Sequence, residues 1–198
     1  MAILPIVQVG DPVLRQVARP LDPAELATPR IRQLIDDMRD TMRAAPGVGL
    51  AAPQIGESIQ LVVIEDPGGP DDLSDEERAA RERDAMPFHV LVNPTLTDRT
   101  DEVVDAFEGC LSFAGFTMVV PRVRKVRVEA LDEHGQRVVK VAIGWYARIL
   151  QHEVDHLRGV VCCDRMEART LSTVENFTTH WSERSVAEVR AAIGKPEP

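Results

Sequence analysis

The chain has 198 residues, 44% of them hydrophobic, which suits one α+β domain over residues 1–198 with a proper core. Its formal net charge of −9 argues against general affinity for nucleic acid or an anionic membrane, and no sequence-specific nucleic-acid contact is expected. No apolar run is long enough for a bilayer, no secretory signal opens the chain, and Cys110, Cys162 and Cys163 make a poor disulfide framework; these features point to a cytoplasmic protein with free thiols.

In chain order, Asp11-Pro12 opens a turn or short helix reaching Val17. Thr28-Pro29 sets an N-cap residue before a proline at the first helical position. Ile31, Leu34, Ile35, Met38 and Met42 follow at helical spacing, and Pro46-Gly47 ends that helix. Residues 59–65 (IQLVVIE) and 88–93 (FHVLVN) read as buried strands. Between them, residues 66–87 read as a charged surface insertion, with Ser74 and Glu77 in a capping-box pattern that predicts a short exposed helix. Further strands are predicted at 103–104, 117–120, 123–131 and 137–143, with a turn at Glu133-His134-Gly135. Arg122, Arg124, Lys125 and Arg127 read as the solvated face of a strand. A helix is predicted from Gly144 to about Leu157, a strand-like piece at 160–163, and an amphipathic helix with a polar tail over 182–198. Short antiparallel strands around one central helix make the expected architecture.

That central helix carries His152-Glu153-Val154-Asp155-His156. Positions i and i+4 share a helix face, so both imidazoles can reach one metal ion, and the Glu153 carboxylate can address a water there. A catalytic ion of this kind needs a third protein ligand. Cys110, Cys162, Glu167 and Glu175 are all candidates, and Cys162 stands ten residues after His152 with Gly159 between. Spacing does not choose among them.

Three segments resemble the signature motifs of the peptide deformylases: GVGLAAPQ at 47–54, EGCLS at 108–112 and QHEVDH at 151–156. The resemblance runs from about Pro5 to Phe177. It implies Cys110, His152 and His156 as ligands of one divalent ion, Fe2+ with Ni2+, Co2+ or Zn2+ as substitutes. It also implies that Glu153 moves the proton while Gln54 and the Leu111 N–H stabilise the oxyanion. Gly47, Val48 and Gly49 would pair with an extended peptide, and Trp145 and Ile149 would wall a methionine pocket. The implied substrate is an N-formylmethionyl nascent chain, with transient ribosome contact. Phe113-Ala114-Gly115-Phe116 departs from many bacterial members, and GWYARI at 144–149 looks more like the organellar branch. Glu108 and Asp155 are candidate neighbours of the ligands, and Arg148 awaits a carboxylate partner. Two other readings stand beside this one: a small zinc endopeptidase using Cys162, Glu167 or Glu175, and a non-catalytic metal-binding or ribosome-associated module.

Overall fold

A computed structural model describes residues 2–69, 74–97 and 100–194, with the backbone alone at Glu77. Helices α1 (Pro23–Leu26) and α2 (Pro29–Ala44) both start at a proline behind a capping side chain: Asp22 accepts from the Ala24 N–H, Thr28 from the Ile31 N–H. The later helices are α3 (Asp75–Ala80), α4 (Gly144–Leu157), α5 (Val174–His180) and α6 (Val186–Ile193). The strands are β1 (Gly49–Ala51), β2 (Leu61–Asp66), β3 (Met86–Thr97), β4 (Val103–Gly109), β5 (Phe116–Val123), β6 (Lys125–Leu131), β7 (Arg137–Ile143) and β8 (Ser172–Thr173). They form two antiparallel sheets, ordered β1-β2-β3-β6-β7 and β4-β5-β8.

Alternation along the strands sorts the core. Val62, Ile64, Leu91, Val126 and Val128 pack on one side of the larger sheet with Ile149, Leu150, Val154 and Leu157 of α4. Leu61, Val63, Val90 and Val92 face the other way and meet Ile31, Ile35, Met38 and Met42, the predicted stripe of α2. On the smaller sheet, Met118 and Val120 join Leu14, Cys110, Val161 and Cys162. Helix α4 is therefore held between the sheets, as the architecture requires.

Several elements differ from expectation, each for a physical reason. Strand β4 is seven residues long instead of two, and β5 continues through Pro121 to Val123. Pro121 is tolerated because β8 pairs only with Phe116 and Thr117, which leaves that side of β5 without a neighbour in the sheet. Strand β3 runs on past Asn93, whose φ of 52° marks an irregularity in the register; its side chain bonds the Leu21 N–H (2.8 Å) and C=O (2.9 Å). The predicted strand-like piece at 160–163 is instead a 3-10 turn, Cys162–Asp164, closed by the Val161 N–H on the Asp164 carboxylate at 2.8 Å. Helix α5 was not anticipated, and α6 starts later than predicted, behind the Ser185 cap. The Ser74–Glu77 capping box rests on the Glu77 side chain, which, like the tail after Gly194, lies outside the described parts of the chain. Among the described residues, no helix is long and apolar enough to cross a membrane.

Candidate active site

Cys110 follows the last residue of β4, and His152 and His156 lie one turn apart on α4. Their ligand atoms all fall within 4.8 Å of one another. His156 Nε2 is 3.4 Å from Cys110 Sγ and 3.3 Å from His152 Nε2. Atoms of this type brought so close repel unless a proton or a cation lies among them. His152 is oriented by Glu108, whose carboxylate lies 3.0 Å from Nδ1, so Nε2 is the atom turned to the cluster. Burial pulls His152 down, but the Glu108 hydrogen bond and the charges of Glu153 and Glu108 outweigh it and raise it to about 9. A thiol and two imidazoles that converge in this way fit a divalent ion. The other candidate ligands are not in this cluster. Glu167 is paired with Arg190 (3.0 Å), Glu175 is exposed in the first turn of α5, and Cys162 shares a core cluster with Cys110 without joining the ligand group.

The cluster opens on a cavity of about 690 Å³ lined by Gly47, Val48, Gly49, Gln54, Cys110, Leu111, Trp145, Ile149, His152 and Glu153. Of the ligands and of the catalytic and substrate-binding residues that the deformylase resemblance implies, His156 alone is absent from the wall; it is 1% exposed. Burial pushes the Glu153 carboxyl up to about 7, and its Oε2 has no partner among the described residues. Gly49 makes room for that carboxylate, since a Cβ there would stand 2.3 Å from Glu153 Oε1. Gln54 is fixed end for end: its Oε1 accepts the Ala51 N–H at 2.9 Å, which turns Nε2 toward Cys110 Sγ (3.7 Å) and Ser112 Oγ (3.4 Å). Leu111 borders the same cavity, its carbonyl accepting from Gln8 Nε2 at 3.0 Å.

A buried charge network backs the cluster. Glu108 accepts from Arg122 (3.0 and 3.1 Å) and from Arg148 (2.7 Å). Glu108 is thus the partner that Arg148 lacked in the sequence reading, and the same guanidinium also bonds the Val120 carbonyl at 2.8 Å. Asp155 takes Arg122 and, at 2.6 and 2.8 Å, Arg165. Burial would raise the Glu108 carboxyl, but His152 and Arg122 hold it well below the usual range. The assignment of Arg122 to a solvated face is corrected: its side chain is 4% exposed. The sequence does hold the signal, because Met118, Val120 and Arg122 fall on one side of β5 and the first two are core residues. Arg124, by contrast, pairs at the surface with Glu82 at 2.8 Å.

The family profile described as polypeptide deformylase matches residues 3–171. This chain belongs to that family. Its deformylase relatives include peptide deformylase 3 of Streptomyces avermitilis, 46% identical over 191 residues, 96% of this chain and 84% of that protein. The mitochondrial peptide deformylase of Homo sapiens is 42% identical over 170 residues, 85% of this chain and 70% of that one. A crystal structure of the class I type b peptide deformylase of Acinetobacter baumannii, bound to Met-Ala-Ser, matches with a TM-score of 0.74 at 33% identity, covering 83% of this chain and 99% of that one. Helices α5 and α6 fall beyond the stretch that the deformylase profile spans.

Proposed function

We propose that this chain is a metal-dependent amidase that hydrolyses the N-formyl group of N-formylmethionyl peptides, releasing formate and a free amino terminus. One observation carries the reading. A Cys-His-His donor cluster, an unpartnered glutamate oxygen and the donor end of an anchored glutamine amide converge on one cavity.

Cys110, His152 and His156 would hold one divalent ion; the mixed thiolate–imidazole set accepts iron or zinc equally, and the deformylase resemblance favours Fe2+, with Ni2+, Co2+ or Zn2+ as substitutes. Such an ion supplies Lewis acidity, lowering the pKa of a water toward about 7 so that a nucleophile exists near neutral pH. Glu153 takes the proton of the attacking water on its unpartnered oxygen and returns it to the departing amine as the C–N bond breaks. Gln54 Nε2 and the Leu111 N–H donate to the formyl oxygen as it gains charge. The Ala51 anchor means the amide need not reorganise at that moment.

Strands β1 and β4 are each outermost in their sheet and both border the cavity, so Gly47, Val48 and Gly49 offer backbone groups to an extended peptide. Trp145 and Ile149, one turn apart on α4, supply the apolar wall for methionine. The Met-Ala-Ser bound to the Acinetobacter baumannii relative has the composition of a deformylated product. A substrate that is the start of a nascent chain implies transient ribosome contact and work in the cytoplasm, although relatives include mitochondrial and chloroplastic forms.

The test is formate release from formyl-Met-Ala-Ser by protein purified without oxygen and loaded with Fe2+ or Ni2+. Rapid release, abolished by Glu153→Ala, is expected. No release from a folded, metal-loaded sample overturns the reading.

A further inference from the structure

The segment between β2 and β3 carries no deformylase motif, yet it reaches the cavity. Its anchor is Asp66, 2% exposed, which accepts Arg83 Nε at 2.9 Å and Arg83 NH2 at 3.1 Å. The same carboxylate accepts the N–H groups of Gly68 (3.0 Å) and Gly69 (3.2 Å), so both ends of the segment are tied to one buried charge. Arg83, 9% exposed, then lies with its guanidinium carbon 4.7 Å from the centroid of the Trp145 ring, and both residues line the main cavity. A guanidinium held at that distance over an indole, and already satisfied by a carboxylate, is attracted to the ring face with little solvent to compete. The backbone locks the same place. The Trp145 N–H donates to the Glu82 carbonyl at 3.3 Å. Gly144, with φ of 59°, could not carry a Cβ, which would stand 2.3 Å from Glu82 Cβ.

We propose that Arg83 is a positioning residue that fixes the Trp145 wall of the substrate pocket, so that the Asp66–Arg83 pair sets which side chains the cavity admits. The identity of the admitted side chain rests on the deformylase reading; the clamp on Trp145 does not. Asp66 holds Arg83, Arg83 holds the indole, and the indole defines one side of the space beside Ile149 and the cluster. Arg148 (5.8 Å) and Arg81 (6.0 Å) lie farther from the ring centroid, so loss of the Arg83 charge removes the nearest hold on the ring, and the pocket loses definition without any change in the atoms that carry out hydrolysis.

Arg83→Met keeps most of the side-chain volume and removes the charge. Deformylation of formyl-Met-Ala-Ser and of formyl-Phe-Ala-Ser is compared, with Trp145 emission read in a Trp181→Phe background, since the chain has 2 tryptophans. The expected result is a preference for methionine narrowed by about tenfold, acting through KM, with kcat for the methionine substrate within about twofold and a shifted Trp145 emission. Arg83→Lys, which keeps the charge, should restore the preference. Asp66→Asn, which loosens Arg83 without touching the ring, should move both readouts as Arg83→Met does. Unchanged preference or unchanged emission in an active Arg83→Met enzyme overturns the proposal. So does a loss of kcat and thermal stability that affects both substrates alike, the mark of a merely structural role. A wild-type chain that is inactive on both substrates but whose Trp145 emission still shifts on Arg83→Met removes the deformylase reading and supports the clamp.

Discussion

At position 49, the absence of one methyl group decides where a carboxylate can stand. The deformylase resemblance implied close approach of the GVG backbone to a peptide, and both glycines border the cavity. The steric demand of Glu153 on Gly49 was invisible, because residues 104 positions apart meet only once α4 lies against β1. Gly49→Ala should therefore displace the Glu153 carboxylate and lower kcat by about 100-fold or more, the usual scale of a lost general base. Steady-state deformylation beside a metal-to-protein ratio checks this; the bound metal should stay at the wild-type level, since the three atoms nearest the added Cβ all belong to Glu153. The HEVDH pair was legible for the opposite reason. Helical periodicity alone puts His152 and His156 on one face, whereas the Glu108 that orients His152 sits 44 residues away and no spacing announces it.

Among elements, the β4–β5 hairpin and α4 are joined by charge as well as by apolar packing. Glu108 is on β4, Arg122 on β5, and Arg148, His152 and Asp155 are on α4, so a single carboxylate links all three. Glu108→Gln leaves Arg148 without its carboxylate and Arg122 with Asp155 alone, which should cost about 3–5 kcal/mol of stability. It also weakens the hold on His152, with metal affinity expected to fall by about 10- to 100-fold. Denaturant midpoints and metal titration of the same variant measure the two effects; a stability loss without an affinity loss would separate Glu108 from the site. Helix α4 was readable to within a residue because its apolar stripe and its ligand pair share one period. The hairpin was not. Asp105-Ala106-Phe107-Glu108-Gly109 shows no alternation of apolar and polar residues, since its carboxylate points inward to a partner, and Pro121 reads as a stop unless the gap left by the short β8 is known. Helix α5 was missed because Val174-Glu175-Asn176-Phe177-Thr178-Thr179-His180 is rich in weak helix formers and buries none of its residues.

Over the whole molecule, the ligands come from different bodies: Cys110 follows the smaller sheet, and the two histidines belong to the helix packed on the larger one. An ion held there is linked to folding, because the unfolded chain does not bring these groups together. Chelation should lower the melting temperature of the wild-type chain. At free metal about 100 times Kd, the difference corresponds to about 2.7 kcal/mol. In His156→Ala the melting temperature should respond little to chelator, as scanning calorimetry of the two proteins can show. Fold class and the helix at its centre were open to sequence reasoning because they follow from local period. The pairing of strands into two separate sheets, and the docking of Glu82 and Arg83 on the start of α4, depend on contacts between distant segments and were not.

Strands β1 and β4 each end a sheet, and both edges look onto the same cavity. A peptide laid between them would be bonded on its two flanks, and the pair of sheets would become one continuous ladder for as long as it stayed. On the proposed function the fold lacks a strand, and the bound peptide would supply it. Backbone amides bordering the slot, at 47–51 and 107–110, should then lose their exchange with deuterated solvent when a slowly released peptide analogue binds, while those of β7, at the far edge of the larger sheet, keep their rates. Unprotected amides on both flanks in a saturated complex would mean that the peptide sits in the cavity without completing the ladder.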